Sequence, residues 1–126
     1  MDIRKLEKIV VAALEDIKAR DIVVLKTAHL SPLFERVIIA SAESTRQVKA
    51  LAINVQTKLK ALGGSVLSVE GLEGGEWVLV DLGDIVVHVM QPTIRQYYDL
   101  EELWDQPEAK KPRARRKPGE AQLSAG

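Results

Sequence analysis

Residues 74–90 read GGEWVLVDLGDIVVHVM, and this segment constrains the fold more than any other. Two β-branched runs flank Leu82-Gly83, which predicts a hairpin with strands Trp77–Val80 and Ile85–Met90. Side chains alternate across a strand, so the register decides which residues share a face. With Leu82-Gly83 as a two-residue loop, Asp81 pairs with Asp84, Trp77 with His88 and Leu79 with Val86. Val78, Val80, Ile85, Val87 and Val89 then fill one face. Trp77, Leu79, Asp81, Asp84, Val86, His88 and Met90 fill the other. A three-residue loop with Gly83 at the fourth turn position is the competing register, and it mixes the two sets. The segregation of the valines favours the first, with one face core and the other semi-polar.

The rest of the chain supplies helices to cover that core. Ile3, Leu6, Ile9, Val10, Ala13, Leu14 and Ile17 form one stripe at helical spacing. Asp21 opens the β-branched run IVVLK, Ser31-Pro32 marks a bend, and RVIIASA reads as a strand covered on both faces. Ser44-Thr45-Arg46-Gln47 has capping-box spacing, with Ser44 accepting from an amide and Gln47 reaching back. The helix it opens carries Val48, Leu51, Ala52, Val55, Leu59 and Leu62, and Gly63-Gly64 ends it. SVLSVEG gives a third strand. Beyond Pro92, Thr93-x-x-Gln96 predicts a short helix with Ile94, Tyr97 and Tyr98, and Asp99 caps one further turn. The expected order is α-β-β-α-β-β-β-α. This is an α/β (α+β mixed) fold with a mixed, mostly parallel-core five-stranded sheet flanked by helices. The passage through residues 37–69 is expected to be a right-handed parallel crossover.

Composition narrows the function classes. No cysteine occurs, which removes disulfides, thiolate metal sites and thiol catalysis and fits a reducing, cytoplasmic setting. The N-terminal segment is charged throughout, unlike a signal peptide or a membrane span. The formal net charge of zero divides unevenly. Residues 1–104 hold 12 Lys/Arg against 15 Asp/Glu, and residues 105–126 hold 6 against 3. The latter segment reads as a disordered, Pro-rich basic tail, and residues 1–104 as one α/β domain. The tail cluster Lys110, Lys111, Arg113, Arg115, Arg116 and Lys117 serves either solubility or weak attraction to RNA phosphates.

Asp81 and Asp84 beside a tight turn have two readings. They are the hard-oxygen ligands of a magnesium-dependent nucleotidyl or phosphoryl transferase, or they are turn residues satisfying local amides. His88 has no second histidine near it in sequence. The loop Gly71-Leu72-Glu73-Gly74-Gly75 lacks the following helix and the Lys-Ser/Thr pair of a phosphate loop. Four of the five aromatic residues, Trp77, Tyr97, Tyr98 and Trp104, fall in the last third of residues 1–104. Such side chains either anchor a partner or pack the terminal helix on the sheet.

Two motifs carry a family resemblance: Gly75-x-Trp77-x-x-x-Asp81-x-Gly83-x-x-x-x-His88 and Arg95-x-x-Tyr98-x-Leu100-Glu101-x-Leu103-Trp104. With Ser31-Pro32, VIIAS and Ser44-x-x-Gln47-Val48-x-Ala50, they resemble the ribosomal silencing factor (Iojap-like) family over residues 3–104. The chain departs from the family at Ala42, where glycine is usual, and at Phe34-Glu35-Arg36. The resemblance implies a nucleotidyltransferase-like sheet without catalytic, cofactor or metal residues. It also implies a homodimer-forming protein that binds the large ribosomal subunit through its protein numbered fourteen. Bound there, it blocks joining of the small subunit and represses translation in starvation. The expected partner-binding residues are Trp77, Leu79, Asp81, Asp84, His88, Tyr97 and Tyr98. If the tail is an RNA arm, deleting residues 105–126 weakens ribosome binding and flattens its salt dependence in a sedimentation titration. An unchanged slope assigns the tail to solubility alone.

Overall fold

The structure, a computed structural model, describes residues 1–30 and 32–104. The predicted basic tail therefore lies outside the described residues, as do Ser31 and the side chains of Leu103 and Trp104. The elements run α1 (Ile3–Asp16), β1 (Arg20–Lys26), β2 (Arg36–Ser41), α2 (Thr45–Ala61), β3 (Ser68–Glu70), β4 (Trp77–Asp81), β5 (Ile85–Met90), α3 (Pro92–Tyr98) and α4 (Leu100–Trp104). The expected order holds, and the extra turn after Asp99 is α4. The third strand is shorter than SVLSVEG, since only three of its residues pair with β4.

The five strands lie in the order β1-β2-β5-β4-β3. Only β2 and β5 are parallel, and β1–β2, β4–β5 and β3–β4 are antiparallel. The expectation of a mostly parallel core is thus corrected to a mostly antiparallel sheet. Connector length is the cause. A parallel crossover needs a dozen or more residues, whereas nine, six and three residues join β1 to β2, β3 to β4 and β4 to β5. Only the connection through α2 is long enough. It carries the chain from β2 to β3, which run in the same direction with β5 and β4 between them.

The hairpin register differs from the expected one by two residues. Trp77 pairs with Met90, Leu79 with His88 and Asp81 with Val86, and the Leu82 amide donates to the Ile85 carbonyl at 2.9 Å. Gly83-Asp84 is therefore the loop, with Gly83 at φ 95°. A two-residue displacement preserves parity, so both faces keep their side chains even though every partner changes. Only Asp84 leaves the ladder.

Val78, Val80, Ile85, Val87 and Val89, with Ile38 and Ala40, face α1 and α2 and form the main core. Each full burial of such a side chain stabilises the fold by about 1.5–3 kcal/mol. Asp2 caps α1, and Ser44 caps α2 by accepting from the Gln47 amide at 3.1 Å. The Gln47 side chain does not close the expected box. Its Nε2 donates to the carbonyls of Ile17 and Lys18 at 3.0 and 3.2 Å, satisfying the end of α1 instead. Asn54 adds a second tie, Nδ2 donating to the Ala13 carbonyl at 2.8 Å. On the opposite face Leu25, Val37, Ile39 and Met90 form a smaller core with Trp77, Ile94 and Leu100. Helix α3 begins at Pro92 with Gln91 as N-cap, ahead of the predicted Thr93 cap, because proline presets the first helical φ.

Two glycines test the backbone account. Gly71 has φ 85°, and a Cβ there would lie 2.1 Å from the Trp77 carbonyl oxygen, while Gly63 has φ 88° and open space. In urea unfolding, Gly63→Ala is expected to cost about 1–2 kcal/mol, the strain of a left-handed L-residue. Gly71→Ala is expected to cost more, because a backbone carbonyl cannot move aside as a side chain can.

Candidate functional site: an aromatic platform on the second sheet face

Strand parity places Trp77, Leu79, Asp81 and His88 on the face away from α1 and α2. Trp77 and His88 are diagonal neighbours rather than the opposed pair expected from the sequence, and a side chain as long as tryptophan spans that diagonal. The Trp77 indole Nε1 donates to His88 Nδ1 at 2.9 Å. The accepting Nδ1 fixes a neutral imidazole with its proton on Nε2. His88 is only 8% exposed, and burial lowers its pKa to about 4. It is a buried support beneath Trp77, not a surface base.

Tyr98 stacks on Trp77 with ring centroids 4.8 Å apart and planes tilted 46°. Tyr97 meets Tyr98 edge-on at 4.9 Å. Such pairs contribute about 0.5–1.5 kcal/mol each beyond area burial. Tyr97 is 79% exposed and Tyr98 51%. The result is a tilted aromatic row that begins on the sheet and ends in solvent, with half-buried Leu79 and Asp81 farther along β4 on the same face.

Arg95 sets where that row stands. Its Nε and Nη2 donate to both Glu101 carboxylate oxygens at 2.9 Å, and its Nη1 donates to the Asp21 carbonyl at 2.7 Å and Ser41 Oγ at 2.8 Å. One side chain, 11% exposed, thereby joins α3 to α4, β1 and β2. The Arg95 hydrogen bonds hold the Glu101 carboxyl below its ordinary range, against the opposing effect of burial. Gln91 anchors the start of α3 by donating to Thr45 Oγ1 and the Gly75 carbonyl, each at 3.1 Å. Between α3 and α4, Asp99 adopts φ 48°, and burial, then Glu102, pushes its carboxyl up.

Six of the seven residues expected to bind a partner share this face. Asp84 does not, since it sits in the hairpin loop beside a cavity also lined by Met1, Leu6, Gly63 and Gly64. The Asp81 carboxylate accepts from the Gly83 amide at 2.9 Å, as a turn aspartate does. Asp84 lies outside the ladder, so the two aspartates are not the cross-strand pair that the sequence predicts. Among the described residues no three His, Cys, Asp or Glu side chains converge in a way that could hold a metal ion. No described helix is long and apolar enough to cross a membrane. Sequence reasoning noted Arg95 only as part of a motif. Its partner Glu101 is six residues away, a spacing that no single helix brings together, and the break at Asp99 is what makes the pair.

The fold and this surface define a small mixed α/β protein that presents aromatic side chains beside an intact sheet. The model of the family described as "Ribosomal silencing factor during starvation" matches residues 1–125, and the chain belongs to that family. It is similar to the ribosomal silencing factor RsfS of Chromobacterium violaceum, 56% identical over 104 residues, covering 82% of this chain and 85% of that protein. It is also similar to the Bacillus subtilis protein of the same name, 39% identical over 82% of this chain and 88% of that one. A more distant relative is the mouse mitochondrial assembly of ribosomal large subunit protein 1, at 32% identity over 75% of this chain and 42% of that protein. A crystal structure of a C. violaceum protein superposes with a TM-score of 0.82 at 54% identity, covering 89% of this chain and 91% of that one.

The buried histidine gives a pH test. Its folded pKa lies below the unfolded value of 6.5, so acid protonates the unfolded chain first and draws the equilibrium towards it. His88 then contributes full stability above about pH 6.5. That contribution falls by about 1.4 kcal/mol per pH unit towards pH 4, on the order of 3 kcal/mol in all. Urea unfolding between these pH values is expected to show that slope in the wild type and lose it in His88→Gln. An NMR titration placing the His88 midpoint near 6.5 contradicts the account.

Proposed function

We propose that the chain is a cytoplasmic translation repressor that docks on the large ribosomal subunit, at its protein numbered fourteen, and blocks small-subunit joining by occlusion. The observation that carries this reading is the Trp77–Tyr98–Tyr97 row, half-buried at Trp77 and exposed at the two tyrosines. Solvent-facing aromatics bury large area at low entropic cost when a partner covers them. Family membership supports a ribosomal target, and the name of the mouse relative points to the large subunit. In this reading Tyr97 and Tyr98 make contact, Trp77 supports them and offers its free edge, and Leu79 adds apolar area. Asp81 faces basic groups of the partner while its other oxygen holds the turn. His88 acts by orienting Trp77, and Asp84, at the hairpin tip, borders the surface. The same face is the one on which a second copy of the chain would self-associate, so dimerisation competes with docking.

Tyr97→Ala is the cleanest probe, because that ring is mostly in solvent and its loss leaves the Trp77–His88 hydrogen bond in place. The variant is expected to lose the Tyr97–Tyr98 edge contact and so a few degrees of melting temperature, while remaining folded and losing roughly tenfold or more in affinity for purified large subunits, about 1.4 kcal/mol. In sucrose gradients, excess wild-type protein is expected to prevent purified subunits from joining. Normal joining in its presence refutes the proposal.

A further inference from the structure

On the helical side of the sheet, away from the aromatic row, α1 and the edge strand β1 enclose a cleft of about 390 Å³ lined by Arg4, Glu7, Lys8, Val24, Lys26 and Arg36. Four cations face one carboxylate there, although residues 1–104 as a whole carry three more acidic than basic side chains. The placement opposes folding in three ways. Lys26 and Arg36 are direct cross-strand partners, and like charges in that position repel. Arg4 and Lys8 are four apart on α1, where like charges also repel. Arg4 also lies in the first turn of α1, which holds no acidic residue and where the helix dipole disfavours a cation. Glu7 forms an ion pair with Arg36, and at three residues from Arg4 on α1 it offsets part of that charge as well, so one carboxylate serves a cleft that stays net basic. Among the described residues no carboxylate pairs with Arg4, Lys8 or Lys26.

Charge held together against its own repulsion is stabilised by a multivalent anion, and we infer that this cleft binds the phosphate backbone of RNA. The lining favours a backbone over a compact nucleotide. It contains no aromatic ring to stack a base, its apolar floor is Val24 alone, and the end of α1 is already capped by Asp2. Arg4 and Lys8 stand one helical turn apart and Lys26 faces them from the strand. This is an array that meets successive phosphates without reading bases. The site lies on the opposite face from the aromatic row, so the chain can hold RNA and a protein partner at once.

The test uses the full chain and a short fluorescein-labelled RNA duplex, titrated by anisotropy between about 50 and 200 mM KCl. Arg4→Gln/Lys8→Gln/Lys26→Gln is compared with a control of equal charge loss on α2, Arg46→Gln/Lys58→Gln/Lys60→Gln. The cleft variant is expected to show a log–log salt slope shallower by about 2.7, roughly 0.9 per phosphate contact. It is also expected to bind about tenfold or more weakly at low salt, while the control changes little. Its melting temperature is expected to hold or rise, since repulsion has been removed. Equal losses in both variants reduce the effect to net charge and overturn the inference. A large drop in melting temperature assigns the cations to folding, and displacement of the RNA by micromolar tripolyphosphate assigns the cleft to a compact anion. Because the probe contains no ribosomal protein, its outcome is independent of the docking proposed for the aromatic face.

Discussion

Everything in the structure is referred to β5. It is buried along its whole length, bonded to β2 on one side and β4 on the other, and its alternate side chains enter two different cores. Ile85, Val87 and Val89 meet the long helices, while Met90 joins the small core under α3 and His88 lies beneath Trp77. A strand in that position cannot slip by one residue without placing His88 among the valines, a burial with no hydrogen-bond partner. The cost of that error fixes the parity of the sheet and with it the face that carries the aromatics.

The second face is built by polar ties as much as by apolar contact. Arg95 holds four acceptors in fixed positions, Gln91 fastens the entry to α3, and Trp77 and His88 satisfy one another. Removing either member of such a buried pair leaves a desolvated polar group, at a cost of about 1–3 kcal/mol. A preorganised aromatic row loses less conformational freedom on binding than a flexible one, so the ties that stabilise the fold also favour docking. Under the proposed docking, structure and recognition share the same residues, which is why Tyr97, at the free end of the row, separates the two roles best.

The two faces differ in chemistry. One offers rings and a half-buried leucine, suited to a protein surface. The other offers a net basic cleft at its edge, the place inferred to hold phosphates. A ribosomal surface presents both, and a small protein touching RNA and protein from opposite sides of one sheet gains effective concentration for each contact from the other.

The sequence by itself determined the elements and the parity. The helical stripes, the Ser44 cap, the Gly63 stop and the segregated valines of the hairpin are local patterns, and local patterns are written at spacings of two to four residues. It also placed Trp77, Leu79, Asp81 and His88 on one face, because parity survives a register error of two. Tertiary structure alone decided which strands are neighbours, that the sheet is mostly antiparallel, and that Leu82 rather than Asp81 closes the hairpin. It alone turned Gln47 from its own helix to the end of α1, and it joined Arg95 to Glu101, Ser41 and Asp21. Those contacts join residues from 6 to 74 positions apart. Residues 74–90 resemble a site in sequence because they concentrate aspartates and a histidine. Folding separates those groups: Asp81 holds a glycine amide, Asp84 turns the chain and His88 is buried under an indole. Only the packing of α3 on the sheet makes a surface of what remains, since a side chain's exposure depends on what distant chain covers it.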